Sequence, residues 1–179
     1  MLFGRRGKPP AKLRPALERN ERVLAWAPTA DDASHAVVVT SLGLWLPGRP
    51  RLGWHQIHKA TWSGSRLTVV PSVPVADGVG EDGSAYTVMA DDAPVEVTLT
   101  DPGNVPMSVR QRVTKSVAYT AHYPLPVGGV RVVARRVAGV DGVSWHVRYD
   151  DGTNITDPDV VAMTAEIVAE AAEPMRPDP

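Results

Sequence analysis

The chain has 179 residues, a net charge of −1, fifteen Arg against four Lys, and no Cys. That length favours one domain with a core of useful size. The lack of Cys excludes disulfides, thiolate chemistry and Cys-based zinc sites.

Phe occurs once and Ile three times, so the core must be built from Val, Leu, Ala and the five Trp. Val-rich sequence suits strands, where a β-branched side chain packs on a pleated surface at little rotamer cost. No apolar run approaches a membrane span. The start, MLFGRRGKPP, carries no apolar signal region, and a cytoplasmic location is the expectation.

Residues 1–8 read as a disordered basic arm. Pro9-Pro10 precedes AKLRPALERNE, a short helix with Leu13 and Leu17 on one side and Pro15 at a first turn or break. Five strands follow: Arg22–Ala27, His35–Thr40, Leu42–Leu46, Leu52–Trp62 with a bulge near Gly53, and Arg66–Val70. Residues 71–84, PSVPVADGVGEDGS, read as an irregular loop. Tyr86–Met89 and Val95–Thr100 are strands six and seven.

Val105–Ser116 is a helix, with Pro106 in its first turn and Val105, Val109 and Val113 forming one stripe. Val117–Tyr123 reverts to alternation. Val130–Val137 and Val143–Asp150 form a hairpin around Val140-Asp141-Gly142. Asp157 caps a helix that opens on Pro158 and runs over Val160–Glu173, with Val160, Met163, Ile167 and Ala171 inward. The expected organisation is a basic arm and short helix over 1–19, one domain over 20–173, and a disordered tail over 174–179.

Charge is segregated. Residues 77–101 hold seven acids and no base, and residues 102–136 hold six bases and no acid. The six are Arg110, Arg112, Lys115, Arg131, Arg135 and Arg136, and they are the candidate partner-binding face. Arg131 and Arg135 fall on one strand face and Arg136 on the other.

Motifs with chemical meaning are weak. Gly78-Val79-Gly80-Glu81-Asp82-Gly83 matches G-x-G-x-x-G, but a strand follows it and two acids sit inside it, so a loop is expected, not a phosphate cradle. His55 and His58, three apart on a strand, face opposite sides and cannot share a metal. Asp150-Asp151-Gly152-Thr153-Asn154 lacks calcium-loop spacing and reads as a turn before a helix cap. No nucleophile elbow occurs. No catalytic residue, cofactor or metal is assigned.

The pair AVVVTSLGLWL followed by Trp54-His55-Gln56-Ile57 and HKATW resembles the strands of small bacterial pleckstrin-homology-like domains of GC-rich bacteria. The resemblance covers about residues 20–117. It implies a mainly β (β+α) fold, a PH-like antiparallel barrel or sandwich with a capping helix, to which an extra hairpin and a C-terminal helix are added. The family's lipid-binding basic cluster is absent from the first strand pair, where Asp31 and Asp32 stand instead. By analogy with the fold, the expected role is a non-catalytic cytoplasmic interaction domain with a protein partner. The alternatives are an anionic membrane surface bound through the N-terminal arm, and nucleic acid bound through residues 110–136.

Overall fold

The computed structural model describes residues 7–175. Arg5 and Arg6 of the expected arm and residues 176–179 of the expected tail lie outside the described residues. The fold is mainly β with two α-helices, and the chain divides into two compact units, each with its own core.

The first unit comprises residues 7–72, 91–116 and 137–140 among those described. Strands β1 (Val23–Pro28), β2 (Ala36–Thr40), β3 (Gly43–Trp45) and β4 (Leu52–Gly53) form an antiparallel sheet in that order. Strand β5 (Ile57–Ser63) pairs with the first part of β6 (Arg66–Val79), and β6 pairs with β8 (Val95–Thr98). A bridge between Thr29 and Leu99 ties the end of β1 to the end of β8. Helix α1 (Val105–Ser116) packs Val105 and Val109 onto Val37, Leu44, Ile57 and Val69. Val is a modest helix former, so this packing holds α1 more than propensity does.

The second unit comprises residues 73–90, 117–136 and 141–175 among those described. Its sheet runs from the second part of β6 through β7 (Ala85–Asp91), β11 (Ser144–Tyr149) and β10 (Gly129–Arg135) to β9 (Val117–Pro124). The β7–β11 pair is parallel, with Tyr86 opposite Trp145. Helix α2 (Pro158–Ala172) covers the face that carries Val130, Val132, Ala134 and Val147. Asp157 accepts from the Asp159 N–H and Pro158 fills the first turn, as the sequence indicated.

Several expectations are corrected. The AKLRPALERNE helix is only a 3-10 turn over Ala11–Leu13, because Pro15 has no N–H to give and clashes with the preceding turn. The long fourth strand is broken: Trp54–Gln56 is a 3-10 turn, which buries Trp54 and lets its Nε1 donate to the Thr40 carbonyl at 3.2 Å. The 71–84 loop is strand as far as Val79. Pro71 stands where β5 slips register, between Ile57 and Lys59, and a bulge of this kind is where a strand tolerates Pro. The inward stripe of α2 centres on Val160, Thr164 and Val168, with Met163 and Ile167 flanking it. Thr164 is accommodated because its hydroxyl donates to the Val160 carbonyl and accepts from Tyr149.

The G-x-G-x-x-G run is the β6–β7 turn. The Gly80 N–H donates to the Ser84 carbonyl and Gly83 takes a φ of +85°. Gly78 has no room for a side chain, because the Tyr86 ring lies over it.

Candidate functional site

A groove of about 600 Å³ opens in the first unit between β5 and the N-terminal half of α1. Its floor is Leu67 and Val109, and its walls are Trp62 and Met107. Met107 is 61% exposed on that wall. Ala60, Thr61 and Trp62 all line the groove. Strand β5 stands at the end of the sheet order, beside β6.

The chemistry of the rim follows from α1. Arg110 lines the groove, and Arg112 and Lys115 stand on the same helix, which carries no acid. Arg110 and Lys115 are exposed and Arg112 is half-buried. Lys59 is exposed on the face of β5 opposite Ala60 and Trp62 and does not line the groove. No acidic residue lines the groove.

The other three predicted site residues belong to the second unit, so the six do not share one unit. Arg131 is exposed on β10, within 3.5 Å of the Thr120 hydroxyl, and Arg148 stands opposite it on β11. Arg135, on the same strand face, is 6% exposed. Burial pushes its guanidinium down from the ordinary value, and the Arg148 charge adds to that. Arg136 is exposed and donates to the Val117 carbonyl at 3.3 Å. Alternation puts Arg131 and Arg135 on one strand face, but it does not report how deeply each is covered.

A second concavity in the first unit, of about 390 Å³, gathers Lys12, Arg14, His35 and Arg49 around Trp45 and Pro47. Nothing local in the sequence joins these bases; the 3-10 turn at Ala11–Leu13 and the β3–β4 connection bring them together. No acid lines this cup either, although Asp32 stands 3.3 Å from the His35 ring.

Two His–Asp pairs were not anticipated. His58 Nδ1 lies 2.6 Å from Asp91, and His122 Nε2 lies 2.8 Å from Asp150. Each ring is oriented by a carboxylate, but both pairs are solvent-facing and neither lines the groove or the cup. Tyr123 shares a 2.6 Å hydrogen bond with Tyr119, which pushes it up to about 12, so it stays protonated. Among the described residues no three His, Asp or Glu converge as metal ligands, and no helix is long and apolar enough to cross a membrane.

Trp54 and Trp145 are core residues, one in each unit, and Trp62 packs partly against the first core. Trp45 and Trp26 are half-buried, and their ring nitrogens donate to Glu21 and to the Gly7 carbonyl. No protein family, no curated protein and no solved structure matches this chain.

Proposed function

We propose that this protein is a non-catalytic interaction module and that the β5–α1 groove is where it holds a partner protein. The observation that carries the reading is the groove itself: an apolar floor, an exposed Met at its wall, and Arg110 on its lining with no acid to offset it there. Binding sites of this kind combine apolar area for affinity with a few polar groups for orientation. The arrangement of the first unit supports the resemblance to PH-like domains. Strands β1 to β5, the first part of β6, and β8 make seven strand segments in two sheets, followed by one helix, while the expected sixth strand, Tyr86–Met89, lies in β7 of the second unit. Domains of that class serve binding more than catalysis, which is an argument from analogy.

The test uses peptides selected from a random library on the full chain. Met107→Asp places a charge in the groove at an exposed position where folding tolerates it. Selected peptides are expected to bind this variant at least about tenfold more weakly, a loss of about 1.4 kcal/mol. Equal binding to both proteins, with circular dichroism unchanged, would place the site elsewhere and refute the reading.

A second reading has its own observation. The cup of Lys12, Arg14, His35 and Arg49 supports attachment to an anionic membrane surface. The protein is then expected to sediment with phosphatidylserine-containing vesicles at low salt and to be released at high salt. The double change Lys12→Glu and Arg14→Glu should abolish sedimentation. Retention by the double variant, or none by the wild type, removes this reading.

A further inference from the structure

Building on the interaction reading above, we infer that the β5–α1 groove takes the free C-terminus of a partner protein. The terminal carboxylate sits at Arg110, and the apolar side chains of the last residues lie on Leu67 and Val109.

Three features of the groove support this. The first is its charge. Among the described residues that line it, Arg110 is the single cation and none is an acid. An apolar segment from the middle of a chain brings no charge to that guanidinium, and an acidic segment brings several anions to one cation. A C-terminus brings one carboxylate, and the planar fork of Arg takes both of its oxygens by parallel bonds. Such a match of charge also fixes which way round the ligand binds.

The second is where the charge stands. Arg110 is the last residue of α1 on the lining, and Pro106, Met107 and Val109 all precede it. The cation is thus at one end, and the apolar surface runs away from it. A chain end has the same polarity, with the carboxylate at its tip and side chains only behind it. An Asp or Glu inside a segment carries chain on both sides.

The third is length. From Pro106 to Arg110 the helix rises about 6 Å, which matches about two residues of extended chain. A volume of about 600 Å³ is that of a site for a compact ligand. A docked helix or strand of ordinary length would overrun it. Trp62 and Met107 wall a space that covers a few apolar side chains, and Met adapts to their shapes.

The experiment selects peptides displayed with free C-termini on the full chain and counter-selects them on the Met107→Asp protein. The expected consensus is confined to the last few positions and holds Leu, Ile, Val, Met or Phe there. The consensus peptide is then measured as the free acid and as the C-terminal amide, which removes the charge and changes no side chain. The amide is expected to bind about tenfold more weakly, or worse. Arg110→Gln, at an exposed position, should weaken the free acid by a similar factor and make acid and amide bind alike. Decanoate, an apolar carboxylate with no peptide groups, is expected not to displace the peptide at equal concentration.

Equal binding of acid and amide to the wild type overturns the inference. So does an acid–amide difference that survives in the Arg110→Gln protein, or displacement by decanoate. In those cases groove-dependent peptides still exist and the interaction reading stands. If no selected peptide depends on Met107, both fail together.

Discussion

Replacing Glu21 with Ala is expected to destabilise the protein by about 3 kcal/mol, because it strips the acceptor from a buried polar cluster. The Glu21 side chain has no exposed surface. Its Oε1 accepts from the Thr40 hydroxyl at 2.6 Å and from Trp45 Nε1 at 2.8 Å. Its Oε2 accepts from Arg51 at 2.8 Å and from the Glu18 N–H at 3.1 Å. Arg51 also binds Glu18 and lies over the Trp45 ring at 5.9 Å. One carboxylate thus joins the entry to β1, the end of β2, the end of β3 and the β3–β4 connection. Glu21→Gln keeps an acceptor but sets an amide against Arg51, and a smaller loss is expected. Urea denaturation at neutral pH measures both; a cost under about 1 kcal/mol for the Ala variant would mean that the cluster is incidental.

The same carboxylate gives stability a defined pH dependence. Burial pushes Glu21 upward, but the bonds from Thr40 and Trp45, the Glu18 N–H and the Arg51 charge outweigh it, and the net shift is downward from 4.5. The folded value therefore lies below the unfolded one. The contribution is complete above the ordinary carboxylate range and is lost as pH falls through the folded value. In the Glu21→Gln protein this part of the acid sensitivity should vanish.

The second large effect belongs to the other core. Trp145→Ala is expected to cost about 3 to 5 kcal/mol, because it empties a large site at the centre of a sheet. Trp145 is 9% exposed, lies between Ala134 on β10 and Tyr86 on β7, and meets the Tyr119 ring edge-on at 6.0 Å. The small Ala134 beside it leaves the space that the indole fills. Trp145→Phe retains most of the volume and should cost about 1.5 kcal/mol or less. A shift of the urea midpoint at constant slope is the expected signature. An Ala variant as stable as the wild type would show that the site collapses without strain.

Local chemistry was legible where it acts locally. The Val stripe and Pro106 marked α1, and Asp157-Pro158 marked the start of α2. The β strands up to Val70 were readable from β-branched runs and turn residues, apart from the 3-10 break at Trp54–Gln56. The extension of β6 was not, because Pro, Gly and Asp suggest a loop and only the partner strand makes it a ladder. The Glu21 cluster was also invisible: its partners lie 19, 24 and 30 residues away. Nothing in the sequence around an acid says that it will be buried. Of the candidate site, the bases of α1 were readable as a run without acids. The groove beside them was not, since it depends on where β5 ends its sheet.

The two units are nested in the chain, and this bears on how the protein can be made and cut. The chain leaves the first unit after residue 72, returns at 91, leaves again after 116 and returns for residues 137–140. No single truncation can release either unit intact. Ending the chain after α1 would keep β7 but remove β11, its parallel partner. During synthesis β7 must wait until Trp145 has emerged before it can pair on that side. Parallel pairing across so long a span is the slow kind, since the loop must close before any bond repays it. Until then the side of β7 that faces β11 has no strand partner.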